Sequence, residues 1–390
     1  MALTTPDEIG SERSAELVTT TDRLLEHLHL HEGEPRYGLD TEFANQKTYY
    51  PRLALIQIAW PDSVILIDPF TVDCTQLRSL FDGPGIAIIH SAQNDLEVLE
   101  HSLGMKPSKL FDTQVAALLL NYEGLSLQHL TSTLLGIDLD KGQQNQDWTR
   151  RPLSDRALKY AAEDVLHLFA LMDLLSEALA AKGRVMALDE ECEFLLAAPS
   201  SRLEPDRAWW RLSGRETIPP TARLFAAHLA RTREELAEQL DLPKRKLLRD
   251  EHLIALATNP PTSLGALRSK LSRSGVEDRD VNLFWEAVQA ANRREEPHLI
   301  ASERSGDRDD LRPIIAKLQV AVTAIATEQE INQGFLASRR DLVARLNGQP
   351  SKFDAAWRQA LVTEPIDQII SAWRATTPAS DTELNNQAPD

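Results

Sequence analysis

The chain has 390 residues, too many for one ordinary hydrophobic core, so we expect two or three domains. Its hydrophobic fraction of 42% and charged fraction of 26% are those of a folded globular protein and exclude a wholly disordered one. The formal net charge of −17 counts against a uniformly basic nucleic-acid-binding surface, although charge must be judged domain by domain.

The two cysteines, Cys74 and Cys192, lie far apart and form no Cys-x-x-Cys pair. This spacing argues against a disulfide framework and is typical of a reducing compartment. The first residues lack the basic flank and apolar run of a secretory signal, and no apolar run approaches the length that spans a bilayer. We therefore expect a cytoplasmic protein with no membrane partner.

The first part of the chain predicts an α/β domain. Residues 1 to about 20 are polar and irregular, and residues 21–31 predict a short helix. Three apolar runs with short connections predict an antiparallel meander of strands at 36–43, 53–60 and 64–68. Strand and helix patterns then alternate, with helices at 75–81, 92–103 and 112–120 and strands at 86–90 and 109–111. The combination predicts a mixed sheet with helices on its faces.

The rest of the chain is predicted to be helical. A helix at 126–135 ends before Gly136, residues 138–152 form a loop, and one long helix runs from 154 to about 182. Two further helical regions follow, separated by linkers at 199–205 and 293–310. We therefore place domains at residues 1–200, 207–291 and 309–375, followed by a disordered tail at 376–390.

Two acidic residues, Asp40 and Glu42, lie two positions apart on the first predicted strand of the meander. Because strand side chains alternate between faces, both carboxylates point the same way. Two carboxylates on one face repel each other unless a cation or a proton lies between them. Alone, such a pair is most simply a solvated surface feature.

Later elements supply three possible partners for this pair. Asp95 falls in the first turn of the helix that follows a buried strand, a corner where α/β proteins form sites. Its alternative role is to complement the helix dipole. Tyr160 and Asp164 lie four residues apart on the long helix and therefore share one face. The alternative is that the tyrosine only packs against a neighbouring surface and the acid only faces solvent.

The four acids have a common chemistry. Mg²⁺ prefers oxygen ligands and binds through one or two carboxylates together with substrate phosphate. Two such ions about 4 Å apart stabilise the attacking and leaving oxygens of a phosphoryl displacement. No histidine–cysteine set suited to zinc accompanies these acids. Tyr160, one turn from Asp164, is placed to orient an attacking water.

These segments resemble a known family. GLDTEF at 38–43, HSAQNDL at 90–96 and YAAED at 160–164 resemble the three exonuclease motifs of the DEDD superfamily. A tyrosine four residues before the last aspartate resembles its DEDDy branch. The surrounding sequence is similar to the ribonuclease D family at 49–53, 111–114, 139–141, 147–148 and 151–153. Residues 247–253 with 259–261 are similar to the HRDC helical domain, and residues 311–374 to a more divergent second one.

The resemblance implies an α/β ribonuclease H-like exonuclease domain, a mixed sheet flanked by helices, followed by two all-α HRDC-type domains. It implies a 3′→5′ exoribonuclease that releases 5′-mononucleotides and trims 3′ ends of structured RNA such as tRNA precursors. Two divalent cations, Mg²⁺ or Mn²⁺, are implied. Asp40, Glu42 and Asp164 would hold one, Asp40 would also touch the second with Asp95, and Tyr160 would position the water. RNA is the expected partner, and no obligate protein partner is expected.

The positions that contact RNA are a separate prediction. Basic and aromatic candidates lie on the 138–152 loop and in the HRDC-like region: Lys141, Trp148, Arg150, Arg151, Lys244, Arg245 and Lys246. For the loop residues, structural anchoring is the alternative. Trp209 and Trp210 could stack on bases, and a place in the helical core is the alternative.

Two other functions remain open from the sequence. One is an RNA-binding protein that keeps this fold without activity, against which the full set of four acids and Tyr160 argues. The other is a DNA 3′→5′ exonuclease, since the same motifs act on both nucleic acids. The HRDC-like region favours RNA.

Overall fold

The computed structural model describes residues 15–44, 47–139, 142, 146–198, 205–295, 311–349 and 351–376. The predicted linkers at 199–205 and 293–310 fall mostly outside these ranges. The predicted disordered tail also lies outside them, except for Thr376 at the end of the last helix. None of the described helices is long and apolar enough to cross a membrane.

Six strands form one mixed sheet. In chain order they are β1 (Glu16–Val18), β2 (Arg36–Ala44), β3 (Arg52–Ala59), β4 (Val64–Ile67), β5 (Ile86–Ile89) and β6 (Leu110–Asp112). Their order in the sheet is β1-β4-β3-β2-β5-β6. The β2–β3–β4 meander is antiparallel, whereas β5 and β6 run parallel to β2 and β1 runs parallel to β4. Strand β2 is therefore central, with an antiparallel neighbour on one side and a parallel neighbour on the other.

Eight helices belong to this part of the described chain. They are α1 (Thr21–Leu30), α2 (Arg78–Phe81), α3 (Gln93–Leu103), α4 (Thr113–Leu119), α5 (Leu127–Leu130), α6 (Asp155–Leu166), α7 (Leu168–Ala181) and α8 (Val185–Ala197). Two separate apolar cores include residues from the sheet, and one of them also includes residues of α6 and α7. The prediction of a mixed sheet flanked by helices is confirmed.

Two local predictions were wrong, and one helix was missed. Strand β1 lies in the segment we expected to be irregular, because three residues are too short to show a period-2 pattern. Helix α8 was not predicted. The long helix expected at 154–182 is two helices, since the backbone at His167 (φ −100°, ψ 0°) leaves the helical geometry.

Ten helices form the rest of the described chain. The first five are α9 (Arg223–Gln239), α10 (Lys244–Leu247), α11 (Asp250–Thr258), α12 (Leu264–Leu271) and α13 (Val281–Asn292). The second five are α14 (Arg312–Glu328), α15 (Gln333–Leu336), α16 (Arg339–Leu346), α17 (Ala356–Arg358) and α18 (Glu364–Thr376). Each group surrounds its own apolar core.

The first helical group contacts the loop between β2 and β3. The Tyr49 hydroxyl donates to Oε1 of Glu234 at 2.7 Å, and the Tyr50 hydroxyl donates to Glu238. The backbone N–H groups of both tyrosines donate to Oδ1 of Asp241, at 3.0 and 3.3 Å. Two acids of α9 and Asp241, which follows the helix, therefore hold the loop that follows β2.

The second helical group is joined to α8 by a buried ion pair. Arg358, which is fully buried, pairs with Glu191. The Trp357 indole donates to the same carboxylate at 2.9 Å, and Glu190 accepts the backbone N–H of Trp357 at 3.0 Å. Breaking a buried pair leaves an uncompensated charge, so this contact attaches the group firmly to the α/β part.

Candidate active site

Strand β2 carries the first two acids of the site. Gly38, Asp40 and Glu42 alternate with residues of the opposite face and point toward α6. A Cβ atom at Gly38 would lie 3.2 Å from the Val165 carbonyl oxygen and 3.3 Å from the Ala59 Cβ. The helix therefore approaches the strand more closely than most side chains would allow.

Helix α6 brings the third acid to the strand. Its start is capped by Ser154, whose hydroxyl accepts the N–H of Ala157 at 3.2 Å. Carboxylate oxygens of Asp40, Glu42 and Asp164 all lie within 4.8 Å of one another. One turn earlier, the Tyr160 hydroxyl donates to the Asp164 carboxylate.

Asp95 lies beside this group rather than in it. As expected, it occupies the first turn of α3 and is buried. The backbone N–H and the hydroxyl of Thr41 both donate to its Oδ1, at 3.1 and 2.5 Å. Thr41 separates Asp40 from Glu42 on β2, so the fourth acid is tied directly to the strand that carries the first two.

Asp112, at the end of β6, fixes the position of α3. Its carboxylate accepts the N–H groups of Ser91 and Ala92, at 3.1 and 2.8 Å, just before α3 begins. It also accepts the N–H groups of Gln114 and Val115 at the start of α4, at 2.8 and 3.3 Å. One buried carboxylate therefore orients the starts of two helices, one of which presents Asp95.

Burial, and after it repulsion from neighbouring carboxylates, raises the pKa of all four acids. Burial is the main cause for Glu42, whose pKa rises to about 9, with Asp164 and Asp95 adding repulsion. Burial raises the pKa of Asp95 to about 7 against the lowering effect of the Thr41 hydrogen bonds. Burial also raises the pKa of Asp164 to about 7, although the Tyr160 hydrogen bond lowers it. The pKa of Asp40 is raised well above its usual range by burial and by the other three acids.

The donor set fits a hard divalent cation. Three half-buried carboxylates with converging oxygens offer the ligand type that Mg²⁺ and Mn²⁺ prefer. Burial and the repulsion between neighbouring carboxylates, which raise the pKa of all three acids, would both be offset by a bound cation. The cluster is thus a candidate site for a divalent metal.

Two residues predicted to contact RNA have structural positions instead. Trp148 is 2% exposed, lies in the core with Tyr160, and has ring centroids 6.2 Å from that tyrosine. The Arg151 guanidinium pairs with Asp68 at 2.5 Å and donates to the Ala54 carbonyl at 2.7 Å. For both residues these contacts support the alternative, anchoring of the loop. The buried Trp148 offers no surface to RNA, whereas Arg151 is exposed.

The other candidates differ in exposure. Arg150, Arg245 and Lys246 are exposed, whereas Lys244 is half-buried and pairs with Glu234 at 3.2 Å. Lys141 lies outside the described residues. Trp209 is 6% exposed in the core of the first helical group, and Trp210 packs partly buried against the same core. The core interpretation therefore describes the tryptophans better than base stacking.

Sequence reasoning missed three residues that build the site. Thr41 holds Asp95, Asp112 holds the turn before it, and Gly38 admits α6. Thr41 could have been identified by its position between the two acids in the sequence. Gly38 could have been identified because strand alternation places it on the same face as those acids. Asp112 directly precedes a helix, where an acidic cap is common.

The sheet and its acidic site define the class of protein. A family model described as 3′-5′ exonuclease matches residues 15–180, and the HRDC domain model matches residues 224–288. The ribonuclease D of Gluconacetobacter diazotrophicus is 31% identical over 92% of this chain and 90% of its own. That of Xanthomonas oryzae pv. oryzae is 33% identical over 87% of this chain and 94% of its own.

A solved structure agrees with these relatives. The crystal structure of Escherichia coli RNase D, described as an exoribonuclease involved in structured RNA processing, superposes with a TM-score of 0.77 at 26% identity. It covers 92% of this chain and 99% of that one. The chain belongs to the ribonuclease D family. It is a 3′→5′ exoribonuclease, a hydrolase of phosphodiester bonds that acts on RNA.

Proposed function

We propose that this enzyme removes 5′-mononucleotides one at a time from the 3′ ends of structured RNA, such as tRNA precursors, with two divalent cations. The observation that carries the proposal is the convergence of Asp40, Glu42 and Asp164 within 4.8 Å, beside a tyrosine hydrogen-bonded to Asp164. The similarity to Escherichia coli RNase D, an exoribonuclease involved in structured RNA processing, supports the substrate class.

Each residue of the site would have a separate role. Asp40, Glu42 and Asp164 would hold one cation, and Asp40 with Asp95 would hold the other. The cations, Mg²⁺ or Mn²⁺, supply charge stabilisation at the attacking and leaving oxygens. The Tyr160 hydroxyl, held by Asp164, would orient the water that attacks the last phosphodiester. The P–O3′ bond breaks, so the shortened RNA keeps a 3′-hydroxyl and the released nucleotide carries the phosphate.

Thr41 and Asp112 would act by position rather than by contact with substrate. Thr41 fixes one oxygen of Asp95 with two hydrogen bonds. Asp112 fixes the turn from which α3 presents Asp95. A metal ligand held by such outer contacts loses little conformational freedom when the cation binds.

RNA beyond the last nucleotide is proposed to contact the exposed cations Arg150, Arg245 and Lys246. Lys141 remains a sequence prediction of the same kind.

The domain boundaries at 200, 207, 291 and 309 also stay predictions, with the HRDC match at 224–288 inside the second domain. A cytoplasmic location is part of the proposal and is supported by the two free, buried cysteines.

The test uses matched RNA and DNA oligonucleotides of one sequence, each with a free and a blocked 3′ end, incubated with Mg²⁺ or Mn²⁺. We expect mononucleotides from free-ended RNA, little product from blocked RNA, and no product after chelation. Asp40→Asn should abolish release, whereas Glu123→Gln, which removes an exposed carboxylate outside the site, should not.

Other outcomes would point to the alternatives. Cleavage insensitive to a blocked 3′ end would indicate an endonuclease. Faster release from DNA than from RNA would indicate a DNA exonuclease. Binding of RNA without any metal-dependent release would indicate an inactive RNA-binding protein.

A further inference from the structure

Gln57 on β3 carries a fully buried side-chain amide. Its side chain is 0% exposed, and neither Nε2 nor Oε1 has a hydrogen-bond partner among the described residues. A buried polar group left unpaired costs about 1–3 kcal/mol. Such a group in a folded protein calls for an explanation, for example a bound water or ion.

The strand register places this amide next to the metal site. Gln57 lies directly opposite Asp40 in the antiparallel β2–β3 pair, and opposite residues project from the same face. On that face Leu55 lies opposite Glu42 and Ala59 opposite Gly38. Both Leu55 and Ala59 belong to the core that includes residues of α6. Gln57 therefore lies under α6, on the strand next to the one that carries Asp40 and Glu42.

The two cross-strand neighbours of Gln57 differ in chemistry. On the β4 side it pairs with Leu66, which is buried and offers no polar atom. On the β2 side it pairs with Asp40, a carboxylate whose pKa is raised by burial and by repulsion from other acids. A side-chain amide has two N–H donors and one carbonyl acceptor. The polar neighbour across the strands is thus the metal-binding acid.

We propose that Gln57 is a positioning residue for Asp40. When a cation is bound at Asp40, the Nε2 of Gln57, which has no hydrogen-bond partner among the described residues without metal, donates to a carboxylate oxygen of Asp40. Carboxylates that bind metal are commonly oriented by hydrogen bonds from groups behind them, and a side-chain amide supplies such a donor. The amide then orients the ligand that both cations are proposed to share. This inference rests on the proposed function, because it needs a cation at Asp40.

A metal-binding measurement tests the proposal without relying on activity. Mn²⁺ affinity is measured by calorimetry, and the thermal midpoint is recorded with and without Mn²⁺, for the wild type, Gln57→Met and Leu66→Met. We expect Gln57→Met to bind Mn²⁺ about 10-fold more weakly, as outer-shell changes do. Its metal-free midpoint should equal or exceed that of the wild type, because an unpaired buried amide is gone. Leu66→Met, which changes the packing beside Gln57 but no hydrogen bond, should keep the wild-type affinity.

Trp148 provides the competing explanation. Its Nε1 is also buried without a partner among the described residues, and it lies in the same core. The amide oxygen of Gln57 could instead serve only to accept a hydrogen bond from this indole N–H. In that case Gln57→Met and Trp148→Phe will both leave Mn²⁺ affinity unchanged, and the proposal is overturned. If the wild type itself does not bind Mn²⁺, the proposed metal site fails together with the inference.

A second measurement on the wild type covers the case in which Gln57→Met does not fold. With ¹⁵N-glutamine labelling, the side-chain amide signal of Gln57 is assigned by its loss in Gln57→Asn. Addition of Mg²⁺ should shift this signal and slow its exchange with solvent. A signal that does not respond to saturating Mg²⁺ overturns the proposal.

Discussion

The Tyr49 hydroxyl donates a 2.7 Å hydrogen bond to Oε1 of Glu234, and this bond joins the loop after β2 to helix α9. The adjacent Tyr50 ring stacks on His101 of α3, with ring centroids 3.9 Å apart. Strand β2 carries Asp40, and α3 carries Asp95. The HRDC-containing group is therefore in contact with a loop that borders both elements of the metal site.

Tyr49→Phe should loosen this contact. Glu234 is 1% exposed, so loss of the donor leaves this buried acceptor with Lys244, at 3.2 Å, as its remaining side-chain partner among the described residues. We expect a loss of about 1–3 kcal/mol in the stability of the docked arrangement. Amide hydrogen exchange should accelerate at residues 47–50 and in α9.

Tyr122→Phe is the matched control, because that partly buried hydroxyl has no hydrogen bond to the described residues. Its exchange rates should equal those of the wild type. Unchanged exchange in Tyr49→Phe would mean that the hydrogen bond does not hold the two parts together.

Asp40→Asn should separate metal binding from folding. Without metal, removal of one of four repelling carboxylates should raise the thermal midpoint. With a cation at 100 times its dissociation constant, the wild type should gain about 2.7 kcal/mol, and the variant much less. Differential scanning calorimetry with and without Mg²⁺ measures both effects, with Glu123→Gln as the charge-matched control. An equal metal-induced gain in Asp40→Asn would place the cation elsewhere.

The metal-free protein should become less stable as pH rises. The pKa values of Asp95 and Asp164 rise from 3.8 to about 7, and that of Glu42 from 4.5 to about 9. The folded state thus keeps protons that the unfolded state has already lost, so the free energy of unfolding falls between about pH 4 and pH 9.

Metal binding should show the opposite pH dependence. Because cations bind the deprotonated carboxylates, affinity should rise with pH over the same window, and binding should release protons. Calorimetry in two buffers of different ionisation enthalpy counts these protons. Proton uptake, or affinity independent of pH from 6 to 9, would contradict the proposed ligand set.

Gly38→Ala should move α6 away from β2. The added Cβ would meet the Val165 carbonyl oxygen at 3.2 Å and the Ala59 Cβ at 3.3 Å, neither of which is the flexible end of a side chain. We expect a loss of about 1–3 kcal/mol, as for other overpacked cores, together with weaker Mn²⁺ binding because Asp164 moves with the helix. Thermal unfolding and calorimetric titration measure the two effects.

Gly265→Ala, in helix α12, is the matched control for this substitution. An added Cβ there has no neighbour within 4 Å, so this variant should be neutral or slightly more stable and should bind Mn²⁺ normally. Normal Mn²⁺ affinity in Gly38→Ala would show that Asp164 does not depend on this close approach.

Local periodicity made much of the site predictable. The alternation of a strand puts Asp40 and Glu42 on one face, and the four-residue spacing on a helix puts Tyr160 beside Asp164. Both relationships depend on a few consecutive residues, and both are present in the structure. The predicted place of Asp95 in a first helical turn is also correct, because the preceding apolar run identifies the strand.

Elements with weak local patterns could not be predicted. Strand β1 has three residues, and its pairing with β4 joins positions about 50 residues apart. The break at His167 interrupts an apolar pattern that continues on both sides, so periodicity alone predicts one helix. For β1, pairing with a distant strand outweighs the weak local preference.

The sequence by itself determined which side chains share a face, and through the family motifs it determined the class of chemistry. Only the tertiary structure decided that Trp148 and Arg151 anchor a loop, that Thr41 holds Asp95, and that the Gln57 amide is buried opposite Asp40. The physical reason is the distance along the sequence over which each kind of interaction acts. Helix and strand periods are set by neighbouring residues, whereas burial, register and ion pairing depend on residues brought together from distant parts of the chain.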